Sequence, residues 1–230
     1  MLMSEPTAGT PADARAAIVA AVQRLAALGL NRGSTGNVSV RAPRTGVDGC
    51  WITPSGLGAE GLGVDDLVWI GVDGDIEAGM VGRWQPSSEA PFHRAIYAAR
   101  ADLHAVVHVH PVHATALACL RRPLPAFHYM VAVAGGDDVP CVPYHLFGSE
   151  ALSQAVAAAF ATRCAALLAN HGLVAGGSTL AHALQVTLEI ESLCETYLEA
   201  LAAGEPVLLD AAQMAAVAER FRRYGRAARR

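Results

Sequence analysis

Two hydrophobic periods run along this chain. Ile18, Val22, Leu25 and Leu28 recur at helical spacing. Thr10-Pro11-Ala12-Asp13 precedes them as a helix start and Gly29 follows as a stop. Val38-Ser39-Val40-Arg41 alternates as a strand, and Cys50-Trp51-Ile52-Thr53 reads as another. Leu67-Val68-Trp69-Ile70 and Asp75-Ile76-Glu77 predict a hairpin about Val72-Asp73-Gly74. Ser88 is placed to cap a helix reaching about Arg100.

Further helices are predicted over 112–120, 149–162, 179–203 and 210–223, and an apolar strand over 163–169. Residues 123–143 read as irregular, being rich in Pro and Gly. In the long helix, Leu184, Leu188 and Glu191 read as packing and solvated positions. Strands alternate with helices, and no repeat or linker interrupts them. The expectation is a single α/β domain over 1–230, with its core at about 12–225. Its sheet is expected to be largely antiparallel and flanked by helices.

The run Ala105-Val106-Val107-His108-Val109-His110-Pro111 changes this picture from fold to chemistry. Residues i and i+2 of a strand share a face, so His108 and His110 would project side by side. Two imidazoles on an apolar strand are costly to bury without partners. His171, in Ala169-Asn170-His171-Gly172, ends the second apolar run, and Glu89 lies in Ser87-Ser88-Glu89. Three imidazoles and a carboxylate suit Zn²⁺. His93, four residues after Glu89, reads as a supporting group rather than a ligand, and His113 as a surface or supporting residue.

Three turns carry small hydrogen-bonding residues: Ser34-Thr35-Gly36-Asn37, Thr53-Pro54-Ser55-Gly56 and Ser87-Ser88. Each alone is a turn; together they could form a phosphate nest without a basic residue. Gly56-Leu57-Gly58-Ala59-Glu60-Gly61 has the G-x-G-x-x-G spacing. Pro54 before it and Gly61-Leu62-Gly63 after it argue against a dinucleotide site.

A net charge of −4 argues against a general nucleic-acid binder, and the Arg-rich end reads as a solvated tail. Five cysteines without a Cys-x-x-Cys pair fit free thiols better than a disulfide framework. No apolar run reaches the roughly 20 residues that span a bilayer, and residues 1–11 lack a signal-peptide pattern. The expectation is a cytoplasmic protein without membrane contact.

Together these residues resemble the class II aldolase/adducin family over about 12–225. The resemblance rests on Thr35-Gly36-Asn37-Val38-Ser39, Ile52-Thr53-Pro54-Ser55-Gly56, Ser87-Ser88-Glu89, His93-Arg94-Ala95-Ile96-Tyr97, His108-Val109-His110 and Ala169-Asn170-His171-Gly172. It lies toward the branch that cleaves L-fuculose 1-phosphate-like ketose 1-phosphates to dihydroxyacetone phosphate and an aldehyde through a metal-stabilised enediolate.

The resemblance implies a three-layer α/β/α fold and a homotetramer with active sites at subunit interfaces. It implies that His108, His110 and His171 bind Zn²⁺, with Mn²⁺ or another divalent metal left open. Glu89 would be a ligand in the empty site and the general base with substrate. Gly36, Asn37, Ser55, Gly56, Ser87 and Ser88 would bind the substrate phosphate. Tyr129, brought from a neighbouring subunit, would protonate the aldehyde oxygen, and Tyr224 occupies the place of a second family tyrosine. Tyr144-His145-Leu146-Phe147 departs from the family's Tyr-Ala-Thr-like run, which puts His145 at the substrate mouth. A 3-oxo-tetronate 4-phosphate decarboxylase, a sugar-phosphate 4-epimerase and a methylthioribulose-phosphate dehydratase share the same site chemistry. A non-catalytic adducin-like assembly module is the alternative from another class.

Overall fold

A computed structural model describes residues 11–73 and 80–223. The elements run α1 (Pro11–Ala27), β1 (Asn37–Arg41), β2 (Gly49–Ile52), β3 (Val68–Gly71), α2 (Ala90–Ala99), β4 (Ala105–Val109), α3 (Val112–Cys119), β5 (Cys141–Val142), α4 (Glu150–Phe160), β6 (Ala165–Leu168), β7 (Gly172–Gly177), α5 (Leu180–Ala203) and α6 (Ala211–Arg223). Short 3₁₀ turns cover Val64–Asp66 and Tyr129–Ala134.

The seven strands form one sheet in the order β3-β2-β1-β4-β7-β6-β5. Every pairing is antiparallel except β5 with β6. Strand alternation divides the core into two layers. Val107, Val109, Leu167, Leu173 and Val38 pack on one face against Ile18 and Leu25 of α1, Leu117 of α3, Ile190 of α5 and Met214 of α6. Val106, Ala166, Leu168 and Val174 pack on the other face against Phe92 and Ile96 of α2 and Val156 and Phe160 of α4. Helices therefore cover both faces of a mostly antiparallel sheet, the α/β/α arrangement expected.

Several local expectations are corrected. β7 was not anticipated: its Gly-Leu-Val-Ala-Gly-Gly sequence is poor in strand formers, but it pairs on both sides in the sheet centre. The stretch expected to be irregular contains β5 and a 3₁₀ turn. Ser88 does not cap α2; Glu89 occupies the N-cap position and Pro91 lies in the first turn. In the expected hairpin, Trp69 of β3 bridges Val81, while Asp75-Ile76-Glu77 lies outside the described residues. Thr10 and Tyr224 lie outside them as well. No helix follows the G-x-G-x-x-G stretch before the Val64–Asp66 turn, in keeping with its rejection as a dinucleotide site. Elsewhere Ser149 and Thr179 do cap their helices, each accepting from a backbone N–H.

Candidate metal centre and active site

His108 is the penultimate residue of β4, on the α2-facing side of the sheet beside Val106. Its ring meets the edge of Phe92 at 5.4 Å. His110 follows just past the strand end. Antiparallel pairing of Val109 with Leu173 brings the turn between β6 and β7 alongside, and that turn carries His171. Asn170 makes this sharp turn with a left-handed backbone, φ 55°, which asparagine tolerates better than most residues. Glu89 enters from the start of α2.

These four residues converge. Their ligand-type atoms all lie within 4.8 Å of one another. Glu89 Oε2 lies 3.1 Å from His108 Nε2, and Oε1 lies 3.2 Å from His171 Nε2. His108 and His110 face each other through their Nε2 atoms at 2.9 Å. The i, i+2 spacing thus does bring the two rings together, although β4 ends between them.

The donor set fits a divalent cation. The Nδ1–H of His108 donates to the Leu173 carbonyl at 2.9 Å, which leaves Nε2 with its lone pair directed into the cluster. Burial pushes His110 down to about 3 and His171 to about 4, aided in both by His108, so both rings are neutral near pH 7. Burial alone would raise the Glu89 carboxyl. The His108 and His171 imidazoles and the Asn37 amide outweigh it and hold Glu89 below the usual carboxylate range. Oε1 of Glu89 is buried without a hydrogen-bond partner. The His108 lone pair and the partnerless Oε1 both face the centre of the cluster, where one cation would satisfy them together with the ring nitrogens of His110 and His171. Where a metal binds, these four residues are the ones that would hold it.

A cleft of about 340 Å³ opens beside this cluster. All three predicted turns reach it: Gly36, Asn37, Ser55, Gly56, Ser87 and Ser88 line it together with Glu89, His110 and His171. Tyr144, His145 and Phe147 form another part of the lining. Gly36 is needed for space as well as conformation. Its φ is +72°, and a Cβ there would lie 2.4 Å from Asn31 Nδ2 and 2.6 Å from the His108 carbonyl oxygen. Asn31 in turn accepts from the His110 backbone N–H at 3.2 Å, which ties the first turn to the metal-facing strand end.

Tyr129 is not brought to this cleft within one chain. It begins its 3₁₀ turn 48% exposed, with its ring 6.4 Å from that of Phe221. His113 is also apart from the cluster. Its Nδ1 lies 2.9 Å from Glu191 Oε1. Glu191 is more than a solvated position: its carboxylate accepts from the backbone N–H groups of His113 and Ala114 and so caps α3.

The sequence reading missed how Glu89 is held. The Asn37 amide donates to Glu89 Oε2 at 3.0 Å, and its carbonyl oxygen accepts from His93 Nε2. The other ring nitrogen of His93 lies 2.7 Å from Ser39 Oγ, which lies 2.8 Å from the Tyr97 hydroxyl. His93 is wholly buried; burial, followed by the influence of His108, pushes it down to about 3. A signal did exist: Ser39 is polar at a strand position flanked by Val38 and Val40.

The described cysteines Cys50, Cys119, Cys141, Cys164 and Cys194 are free. No helix among the described residues is long and apolar enough to cross a membrane.

Known proteins share this architecture. The family profile "Class II Aldolase and Adducin N-terminal domain" matches residues 16–198. A 5-methylthioribulose-1-phosphate/5-deoxyribulose-1-phosphate aldolase of Rhodospirillum rubrum is 46% identical over 211 residues, covering 92% of each chain. An L-fuculose phosphate aldolase of Escherichia coli is 47% identical over 199 residues, covering 86% of this chain and 89% of its own. A solved L-fuculose 1-phosphate aldolase superposes with a TM-score of 0.85 at 37% identity, covering 93% of this chain and 98% of its own. The chain is an enzyme of the class II aldolase/adducin family.

Proposed function

We propose that this enzyme reversibly cleaves a ketose 1-phosphate to dihydroxyacetone phosphate and an aldehyde. The observation that carries the reading is the junction of two features in one cleft: the Glu89/His108/His110/His171 cluster and the three small-residue turns. The relatives named above support it, since their names give methylthioribulose 1-phosphate, deoxyribulose 1-phosphate and L-fuculose 1-phosphate as substrates.

A divalent cation held by the three imidazoles, Zn²⁺ by donor type with Mn²⁺ as the alternative, would stabilise negative charge developing on the substrate oxygens. Gly36, Ser55, Gly56, Ser87 and Ser88 would hold the phosphate through backbone N–H groups and hydroxyls. Asn37, whose side-chain amide is engaged with Glu89 and His93, would contribute from its main chain.

In the synthesis direction, Glu89 removes a proton from the hydroxymethyl carbon of dihydroxyacetone phosphate. The electron pair freed there forms the new carbon–carbon bond to the aldehyde carbon. The aldehyde oxygen takes the proton of the Tyr129 hydroxyl. Cleavage runs the same steps in reverse. Tyr129 stands apart from its own chain's cleft, so this role needs a second copy, and the reading includes a homo-oligomer, a tetramer by family likeness, with shared sites. The cytoplasm is the matching compartment for such a sugar-phosphate enzyme.

The test is dihydroxyacetone phosphate release by metal-loaded protein from L-fuculose, L-rhamnulose, 5-deoxyribulose and methylthioribulose 1-phosphates. Chelator-sensitive release from one of them is expected. No release from any, with CO₂ evolved from a 3-oxo-tetronate 4-phosphate, would replace the aldolase by a decarboxylase on the same site.

A further inference from the structure

A chain of side-chain hydrogen bonds runs from the Glu89 carboxylate through the interior to the face of α2. Asn37, Ser39, His93 and Tyr97 carry it, at exposures of 4%, 0%, 0% and 1%. Ser39 comes from β1, while His93 and Tyr97 lie one turn apart on α2. The strand hydroxyl is thus placed between two groups of one helix face. Phe92 stacks on the His93 ring at 4.8 Å and meets the edge of His108.

The chain has one consistent direction. An ionised carboxylate only accepts, so the Asn37 amide must present its N–H₂ to Glu89. Its carbonyl oxygen then needs a donor, and His93 Nε2–H supplies it. A neutral imidazole has one N–H, so His93 Nδ1 accepts from the Ser39 hydroxyl. Ser39 then accepts from the Tyr97 hydroxyl. Each group has a single role, and the last donor in the line fixes one oxygen of Glu89. Reversing any link would turn the Asn37 carbonyl oxygen toward the carboxylate and place two acceptors against each other.

We propose that Tyr97, Ser39 and His93 are positioning residues that act through Asn37 to fix the rotation of the Glu89 carboxylate at the metal cluster. The inference deepens the function proposed above and rests on the role given there to Glu89. With Oε2 held by Asn37, Oε1 is the oxygen left for the substrate proton. His93 touches neither substrate nor the metal-facing atoms; its effect reaches Glu89 only through the Asn37 amide.

The experiment uses the full chain loaded with Co²⁺, whose visible absorption reports the ligand set, together with steady-state kinetics. His93→Leu keeps the packing and removes both ring nitrogens. The expected result is a kcat lower by about ten- to a hundredfold, with little change in KM. Its Co²⁺ band is expected to move toward that of Glu89→Gln. His93→Gln restores an N–H near the Nε2 position and should recover most of the lost kcat and the wild-type band. Ser39→Ala, a smaller change that serves if His93→Leu does not fold, should shift both readouts in the same direction. Wild-type kcat and wild-type band in either variant would overturn the positioning role. If the wild-type protein cleaves no ketose 1-phosphate, the functional reading fails separately, and the Co²⁺ band still tests how Glu89 is held.

Discussion

His108 Nε2 and His110 Nε2 face each other at 2.9 Å, with the His108 proton committed on its far side to the Leu173 carbonyl. Two ring nitrogens facing one another in this arrangement form a ready cation site. Substituting either by alanine removes one of three nitrogen donors. We expect His108→Ala and His110→Ala to lose stoichiometric divalent metal after dialysis and to fall below about one hundredth of wild-type turnover. Metal analysis alongside kinetics checks this; either variant with full metal and full activity would contradict the site.

Glu89→Gln keeps the shape of the side chain and removes the base. A decrease in kcat of about 10²- to 10⁴-fold is expected, the range usual for a lost general base. Metal content must be measured on the same sample, so that the loss of a proton acceptor is separated from the loss of an ion. Full turnover with metal bound would exclude the role.

The space at Gly36 makes a stability prediction. Gly36→Ala places a methyl group 2.4 Å from Asn31 Nδ2 and 2.6 Å from the His108 carbonyl oxygen, at a φ of +72°. Backbone strain and overpacking together should cost about 2–4 kcal/mol. Urea denaturation at constant m-value would show it, and an unchanged midpoint would mean the turn is looser than its geometry indicates.

Acid should destabilise the metal-free protein in a defined window. His93, His110 and His171 have folded-state pKa values lowered to about 3, 3 and 4, against 6.5 for the ordinary imidazole. Between those values the unfolded chain binds protons that the folded chain does not. Stability present above about 6.5 is therefore lost as pH falls toward 3. Glu89, also held below its ordinary value, adds to the loss below about pH 4.5. Thermal melts of the metal-free protein from pH 7 to pH 4 should show a falling midpoint; a flat profile would mean the imidazoles are not held neutral.

The shared-site reading is tested by mixing. Tyr129→Phe should lower kcat by about ten- to a hundredfold without changing the melting midpoint, because the residue is half exposed. If Tyr129 serves a neighbouring subunit, co-refolding Tyr129→Phe with Glu89→Gln recreates some intact sites and regains activity. No gain in the mixed oligomer would mean that Glu89 and Tyr129 serve a site within one chain, or that Tyr129 has no part in it.

The chemistry was more legible than the route that supports it. The strand period paired His108 with His110, and three glycine- or serine-bearing turns were recognisable as possible anion-binding backbone. These are local signals, each carried by a few adjacent residues. Hidden features depended on distant pairings. β7 is a strand because β4 and β6 flank it, although Gly172, Gly176 and Gly177 give it little intrinsic preference. Asn37 reads as a turn residue, yet its amide is aimed at Glu89, 52 positions away. Glu191 reads as solvated because helical spacing says nothing of α3, whose N-terminus it caps. Tyr129 is different again: the role proposed for it needs a second copy of the chain, and the fold of one chain leaves it at the surface.

In the proposed reaction, Glu89 takes a proton from the hydroxymethyl carbon of dihydroxyacetone phosphate at a metal-dependent site. Proton exchange at that carbon in D₂O, followed by NMR with no aldehyde present, tests it without knowing the aldehyde. Exchange by the metal-loaded wild type is expected, stopped by chelator and abolished in Glu89→Gln. Metal-loaded wild type that leaves every hydrogen of dihydroxyacetone phosphate in place would contradict it.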